Sequence, residues 1–268
     1  MATAQIDAMK ELQDSFQLLF KNWMLALPTA IASLLATLLM VLVVGALIGG
    51  VVGAGVLGGG GNGQGSAAAA TALLGGAGIM ALVGGIVVVL VSLGAHATVV
   101  FAAADVWAGK PVDLSSAMAR AFPKLGQLIL AAILIFLLAI IPGILVFLFI
   151  GVLLLIALGF FMMYVTPGVT VGDKGAMDAI KESFNLAKNN FAPSAIAFVG
   201  VVVVALVGAI INSIFLHWFV LNFIVGFVVG GLTYAYAAIV VVRFYQLLTR
   251  SASLAPAAAP PAPTAPTA

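Results

Sequence analysis

The sequence contains no cysteine and very few charged residues. Ten Lys and Arg and eight Asp and Glu occur in 268 residues, so 7% of the chain is charged while 64% is hydrophobic. An ordinary soluble domain has about 25% charged residues, so this composition excludes a typical water-soluble enzyme. The missing cysteines exclude disulfide scaffolds, thiol catalysis and cysteine metal sites. A net charge of +2 offers no basic surface, and we expect no nucleic-acid partner.

The few charged residues are confined to four short clusters, which lie within 7–21, 105–124, 173–188 and 243–250. The three blocks between the clusters carry no charge and cover 22–104, 125–172 and 189–242. A membrane-spanning helix needs about 20 mostly apolar residues, so each block is long enough for two. The sequence therefore predicts six spans, at about 24–46, 77–102, 125–141, 144–166, 194–214 and 221–242.

Each charge-free block contains a candidate turn near its middle. These turns are Gly58–Ser66, Pro142-Gly143 and a break around Asn212–Asn222. Two crossings per block return the chain to the side from which it started, so every charged residue should lie on one side of the membrane. Because Lys and Arg favour the cytoplasmic side, we expect a multi-pass protein of a prokaryotic cytoplasmic (inner) membrane with both termini in the cytoplasm.

Three of the charged clusters have the pattern of amphipathic helices, at about 5–21, 113–122 and 174–190. Apolar residues recur in them at steps of three and four, with charged residues between. A proline (Pro28, Pro123 or Pro193) follows each predicted amphipathic helix, which suits the first turn of the next helix. The predicted fold is all-α: one membrane domain over 1–248 with three helical hairpins, each preceded by a cytoplasmic surface helix. A disordered Ala/Pro-rich tail is predicted over 249–268. Candidates to face the membrane interface or a partner are Met9, Phe16, Met118, Phe122, Met177 and Phe184.

The first and third amphipathic segments are related at an offset of 168 residues. Ala8-Met9 matches Ala176-Met177, and Asp14-Ser15-Phe16 matches Glu182-Ser183-Phe184. Asn22-Trp23 likewise matches Asn190-Phe191. Coincidence among common residues is the alternative, and the second segment is a weaker copy. We interpret the pattern as three related units, each one surface helix plus two spans.

Short motifs along the chain resemble a six-span prokaryotic membrane family. They are Gly109-Lys110-Pro111-Val112, Ile141-Pro142-Gly143-Ile144 and the segment 175–188 followed by Phe191. The family includes the membrane domain attached to some glycerophosphoryl diester phosphodiesterases and many stand-alone members of unknown function. The resemblance covers about residues 5–248 and implies the six-span topology. The phosphodiesterase activity belongs to a separate soluble barrel for which this chain has no room, so that activity is not implied here.

The spans contain few polar residues that could support chemistry. No Asp, Glu, Lys or Arg lies deep in a predicted span, which argues against ion-coupled transporters and intramembrane proteases. His96, Thr233, Tyr234 and Tyr236 are the candidates for a polar path. The competing interpretation is that their side chains bond to backbone carbonyls or across helices. We predict no catalytic residues, no cofactor and no metal site.

These observations predict a membrane module that is not an enzyme. It would organise or sense the membrane, or hold a partner, through the cytoplasmic amphipathic helices. The alternative is a transporter or translocator of small solutes or lipids, with a path near His96, Thr233 and Tyr236. The expected partners are the lipid bilayer and a protein, which could be a second copy of the chain.

Overall fold

The computed structural model describes residues 7–58, 64–215 and 217–254, and within these ranges it contains helices and no strands. Six helical segments are long and apolar enough to cross a membrane, as the sequence predicted. The α-helices are α1 Ala8–Lys21, α2 Leu27–Gly58, α3 Gln64–Trp107, α4 Leu114–Ala121, α5 Leu125–Ile144, α6 Ile150–Met162, α7 Val165–Thr170, α8 Ala176–Asn189, α9 Phe191–Ile214 and α10 Phe219–Leu254.

Three short helices, α1, α4 and α8, occupy the segments with mixed charge. Two begin with an aspartate cap: Asp7 accepts a hydrogen bond from the Lys10 amide at 3.1 Å, and Asp113 accepts one from the Ser116 amide at 3.0 Å. These caps satisfy backbone donors that the first helical turn leaves free. Pro28, Pro123 and Pro193 all lie in the first turn of the helical segment that follows, where a missing N–H costs nothing.

The first two long helices extend beyond their predicted ends. α2 continues to Gly58 and α3 begins at Gln64, although spans ending at 46 and beginning at 77 were expected. No proline occurs between Pro28 and Pro111 to end either helix, and the start of α3 contains four consecutive alanines, at 67–70, which favour helix. Of the predicted loop Gly58–Ser66, residues 59–63 lie outside the described residues and Gln64–Ser66 belong to α3.

The turn predicted at Pro142-Gly143 lies further along the chain. α5 continues through Pro142 to Ile144, and the turn consists of a 3-10 segment, Leu145–Leu148, and Phe149 at φ 58°. A proline in the last turn removes one backbone donor but does not force the chain to reverse. Gly151 then packs against the backbone of Pro142 and Leu145, where a Cβ would collide.

The fourth and sixth spans also differ from expectation. The segment 150–170 is broken into α6 and α7 at Met163-Tyr164. α10 continues to Leu254, past the expected end of the membrane domain at 248. The first proline of the predicted tail is Pro256, so helix can persist up to that point. Residues 255–268 lie outside the described part of the chain.

The long helices pack in consecutive pairs, α2 with α3, α5 with α6 and α9 with α10. Each short helix packs mainly on the pair that comes before it along the chain, and α1, which has no pair before it, packs on the last pair. α4 packs on α3, α8 packs on α5, α6 and α7, and α1 packs on α9 and α10. Each short helix therefore packs on one pair and is followed along the chain by the first long helix of another pair.

The core lies at one end of the molecule, around α3, α7 and α10. Seven consecutive residues of α3, Ala97–Ala103, are all buried. α10 contributes Ile239, Val240 and Phe244, and Tyr164 precedes α7; all are fully buried. The same end contains the short helices, and we call it the charged end because the ion pairs described below lie there.

Candidate functional site

The six predicted interface residues are all exposed at the protein surface. Their exposed fractions run from 41% for Phe184 to 71% for Met9. Each short helix buries a different side, through Ser15 in α1, Ala117 in α4 and Ser183 in α8. The helices therefore present methionine and phenylalanine outward, with Phe122 directly after α4. Their buried sides combine small residues with a few larger ones, Leu19, Ile180 and Leu186.

The outward side of α1 is a compact apolar patch. At about 100° per residue, Met9, Phe16 and Phe20 fall within about 40° of arc. The Phe16 and Phe20 rings lie 4.8 Å apart, and Phe16 also makes an edge contact with Tyr236 at 6.0 Å. Trp23, just after the helix, is 57% exposed. A patch of this kind fits the boundary between headgroups and acyl chains.

The structure supports the relation between the first and third units. Asn22 and Asn190 end α1 and α8 with nearly identical dihedral angles, φ −124°, ψ 50° and φ −123°, ψ 52°. Each asparagine donates its side-chain amide to the carbonyl four residues earlier, at 3.0 and 3.1 Å. Ser15 and Ser183 are both fully buried. The match at 168 residues thus extends from sequence to capping and burial.

α1 is held to the bundle by an ion pair with α10. The Arg243 guanidinium donates two hydrogen bonds to the Glu11 carboxylate, at 2.7 and 3.2 Å. It also stacks on the Trp107 ring, 4.4 Å from the centroid. Leu12 packs against Gly200 of α9, and a Cβ there would lie only 2.8 Å from its methyl groups. The contacts join the first and last charged clusters.

α8 is held by its serine and its glutamate. The Ser183 hydroxyl accepts from the Tyr164 amide at 3.1 Å and donates to the Phe161 carbonyl at 2.6 Å. It therefore satisfies backbone groups that the break between α6 and α7 leaves free, which a membrane protein must do internally. Glu182 accepts a hydrogen bond from the Tyr245 hydroxyl at 3.0 Å and pairs with Lys174.

α4 and its surroundings link the second and third charged clusters. Asp105 pairs with both Arg120 and Lys110, and Lys124 pairs with Asp173. The Gln127 side-chain oxygen accepts from the Ala176 amide at 3.0 Å, at the start of α8. Together with the Glu11–Arg243 and Glu182–Tyr245 contacts, these interactions bring the four clusters to one end of the bundle.

The structure places the four residues proposed for a polar path in different surroundings. Tyr234 is 58% exposed on the outside, whereas Tyr236 is buried and its hydroxyl lies 3.5 Å from the Leu12 carbonyl. Thr233 packs against Gly208 of α9. His96 is partly buried in α3. Tyr234 and Tyr236, two positions apart on a helix, face about 160° away from each other.

Sequence reasoning missed the side chains that hold the short helices in place. Glu11 and Arg243 were assigned only to charged clusters, and Glu182 and Ser183 only to the repeat, the family motif and, for Glu182, a charged cluster. The buried serine could have been found, because a serine shared by both repeats on the apolar side of each helix marks a polar contact to the core. The Glu11–Arg243 pair joins residues 232 positions apart, and no local pattern indicates it.

Within the described ranges, no group of three or more His, Cys, Asp and Glu is placed to hold a metal ion. Comparison of the chain with protein-family models, with curated proteins and with solved structures finds no match. The resemblance to the six-span prokaryotic family therefore stays a prediction from the motifs.

Proposed function

We propose that this chain is a non-enzymatic protein of a prokaryotic cytoplasmic membrane that senses or organises the cytoplasmic leaflet through α1, α4 and α8. In this proposal the charged end faces the cytoplasm, and the three helical pairs are hairpins that cross the membrane and return. The observation that carries the proposal is the outward exposure of a methionine and a phenylalanine on each short helix.

Two features of the charged end support this role. Its short helices present apolar side chains outward beside lysines and arginines, the composition of helices that lie in a headgroup layer. Binding of such helices depends on lipid composition and curvature. Each helix also bridges to the preceding pair, through Glu11–Arg243 in α1 and Arg120–Asp105 in α4. Displacement of a short helix by the leaflet would thus be transmitted to helices of the bundle.

The depth of the short helices can be measured by spin labelling, because the chain has no native cysteine. Single cysteines at Phe16, Phe122 and Phe184 would carry a nitroxide in vesicles of phosphatidylethanolamine and phosphatidylglycerol. We expect collisions with oxygen to exceed collisions with a water-soluble nickel chelate. Labels at Lys10 and Asp178, both exposed and each about 100° around the helix from Met9 or Met177, are matched controls that should show the reverse. Nickel accessibility at all three phenylalanine positions would contradict the proposal.

The sensing role has its own measurement. The oxygen accessibility at Phe16 and Phe184 should change when vesicle curvature or the phosphatidylglycerol content changes, while a label at Leu221 of α10 should stay constant. Equal changes in oxygen accessibility at all positions would mean that the short helices do not respond specifically to the leaflet.

Membrane orientation is tested separately by cysteine labelling in intact cells. Lys110→Cys lies at the charged end and His217→Cys in the α9–α10 turn, and both native side chains are exposed. A membrane-impermeant maleimide should label the His217 variant from outside and the Lys110 variant only after lysis. Labelling of the Lys110 variant in intact cells would contradict the cytoplasmic assignment.

A further inference from the structure

We propose that the interruption between α6 and α7 is a hinge and that α8 controls its angle through the Ser183 hydroxyl. The input that moves α8 is the cytoplasmic leaflet, and the leaflet as input rests on the proposed function. The hinge itself does not, because its contacts lie within the protein.

The fourth span is interrupted within its backbone hydrogen bonds. α6 ends at Met162 and α7 begins at Val165. Pro167, in the first turn of α7, has no N–H to offer the Met163 carbonyl. A proline and a side chain inserted between backbone groups are two common causes of a kink in a helix, and this span has both.

The inserted side chain is Ser183 of α8. Its hydroxyl accepts from the Tyr164 amide at 3.1 Å and donates to the Phe161 carbonyl at 2.6 Å. In an uninterrupted helix these two groups would pair with the Phe160 carbonyl and the Val165 amide. Because a hydrogen bond is lost beyond about 3.5 Å, a displacement of α8 by about 1 Å is enough to release both groups.

The residue next to Ser183 connects the hinge with the protein surface. Phe184 is 41% exposed, and its ring lies 4.8 Å from the Phe161 ring. Phe161 is also the residue whose carbonyl Ser183 holds. A force on Phe184 therefore reaches the interruption by two routes, through the ring contact and through the adjacent serine.

The α7 side of the hinge is fixed and the α6 side is the arm that moves. The Tyr164 hydroxyl donates to Ser194 of α9 at 3.1 Å, between two buried side chains. Gly168 of α7 lies against Ala179 of α8, where an added Cβ would be 3.2 Å from the alanine methyl. In α6, by contrast, each residue of Val152–Ile156 is at least 36% exposed, so the arm can shift at the cost of few buried contacts.

The related helix α1 differs in this respect. Ser15 is as buried as Ser183, but its hydroxyl donates to the Glu11 carbonyl of its own helix at 2.7 Å. Phe16 packs on Tyr236 of α10, which is a single uninterrupted helix. Of the two helices related by the repeat, α8 is therefore the one placed to control a span, and α1 supplies the matched control.

The hinge is tested by the distance between a spin label on α6 and one on α10, measured by double electron–electron resonance in vesicles of fixed composition. Paired cysteines at Leu153 and Val228 replace exposed side chains. Leu153 lies nine residues before the end of α6, about 14 Å from the interruption, so a change of ~20° at the hinge moves it by about 5 Å. We expect Ser183→Ala to shift the distance by this amount, because helical hydrogen bonds can then form across the interruption. Ser15→Ala should leave it unchanged.

A second variant sharpens this test. Adding Pro167→Ala to Ser183→Ala restores a donor for the Met163 carbonyl, so the shift should grow in the same direction. Labels at Leu42 of α2 and Ile210 of α9, both exposed on uninterrupted helices, should keep their distance in every variant.

Two results overturn the hinge. One is an unchanged distance between the labels at Leu153 and Val228 in the Ser183→Ala protein, with thermal unfolding showing that this variant is folded. The other is an equal shift in the Ser15→Ala protein, which would assign the movement to a general loosening of the short helices.

The input from the leaflet is measured with the same label pair while the phosphatidylglycerol content of the vesicles is changed. The distance should change in the protein with Ser183 and stay constant in Ser183→Ala. A label at Phe184, followed in parallel by its oxygen accessibility, reports whether α8 responds. If Phe184 responds and the distance does not, control by α8 is wrong while the proposed function stands. If Phe184 does not respond, the proposed function fails and the leaflet is not the input, whereas the effect of Ser183→Ala still decides the hinge.

Discussion

Two stretches of helix in this molecule have different surroundings. All seven residues of Ala97–Ala103 in α3 are buried, whereas each of the five residues Val152–Ile156 in α6 is at least 36% exposed. Both are apolar and both belong to helices that could cross a membrane. Hydropathy alone therefore does not determine whether other helices surround such a segment.

The difference follows from side-chain volume. The α3 stretch has three alanines among its seven residues, and α10 opposite it contributes Ala235 and Ala238, all buried. Small residues let helix backbones approach closely, which is the main source of packing between helices in lipid. The α6 stretch contains only Val, Leu and Ile, which keep neighbouring backbones apart. The polar contacts described above are also concentrated at the charged end.

The largest effect should come from breaking the ion pair that holds α1 at the charged end. Arg243→Ala leaves Glu11 without its partner in a site where the two side chains are only 23% and 17% exposed. We expect a loss of about 3 kcal/mol in the free energy of unfolding, measured by denaturation in mild detergent. Lys21→Ala, at an exposed position, should change little.

The same pair gives a test of coupling. Adding Glu11→Ala to Arg243→Ala removes the unpaired carboxylate, so the double variant should lose clearly less stability than the sum of the two single variants. Additive losses would show that the two side chains do not act together.

The next effect tests the difference in packing between the buried stretch of α3 and an exposed helix surface. Ala103→Leu adds three carbons where the side chain is 0% exposed, and overpacking should lower the free energy of unfolding by about 2 kcal/mol. Ala205→Leu, the same change at an exposed position of α9, should be close to neutral. Equal melting temperatures for the two variants would contradict the contrast between the ends.

A smaller effect separates the two repeated serines. Ser183→Ala leaves the Tyr164 amide and the Phe161 carbonyl without their partner, which should cost about 1.5 kcal/mol. The Ser15 hydroxyl donates within its own helix, to the Glu11 carbonyl at 2.7 Å. The same carbonyl is the acceptor of a backbone amide in the helix, so it keeps a partner when the hydroxyl is removed. Ser15→Ala should therefore cost less than about 0.5 kcal/mol. If Ser15→Ala lost more stability than Ser183→Ala in thermal unfolding, Ser15 and not Ser183 would be the serine that stabilises the bundle.

The sequence was sufficient to predict the number and nature of the long helices. The charge-free blocks contain the six helices that could cross a membrane, because an ionisable group deep in a bilayer is costly. Their ends were less predictable. Pro142 was predicted to lie in the turn, but a proline near the end of a helix does not fix where the chain reverses. In the structure the chain reverses at Phe149, which has positive φ. The bound partners of Glu11 and Ser183 depend on how distant helices pack, which a local pattern does not contain.

The smallest predicted effect lies in the turn at the far end. Phe149 has φ 58°, a conformation that costs a non-glycine residue about 1–2 kcal/mol, and its side chain is 84% exposed. Phe149→Gly relieves that strain, while the greater freedom of glycine in the unfolded chain offsets part of the gain. We expect a net stabilisation of about 0.5 kcal/mol, read as a higher melting temperature in detergent.

The matched control in that turn is Phe147→Gly, because Phe147 is 91% exposed and does not have positive φ. Here glycine relieves no strain and only adds freedom to the unfolded chain, so this variant should be destabilised by about 0.5 kcal/mol. The opposite signs would show that the turn is set by backbone conformation and not by packing of its aromatic rings. If both variants lose stability equally, those rings contribute contacts, and the far end is held by packing as the charged end is.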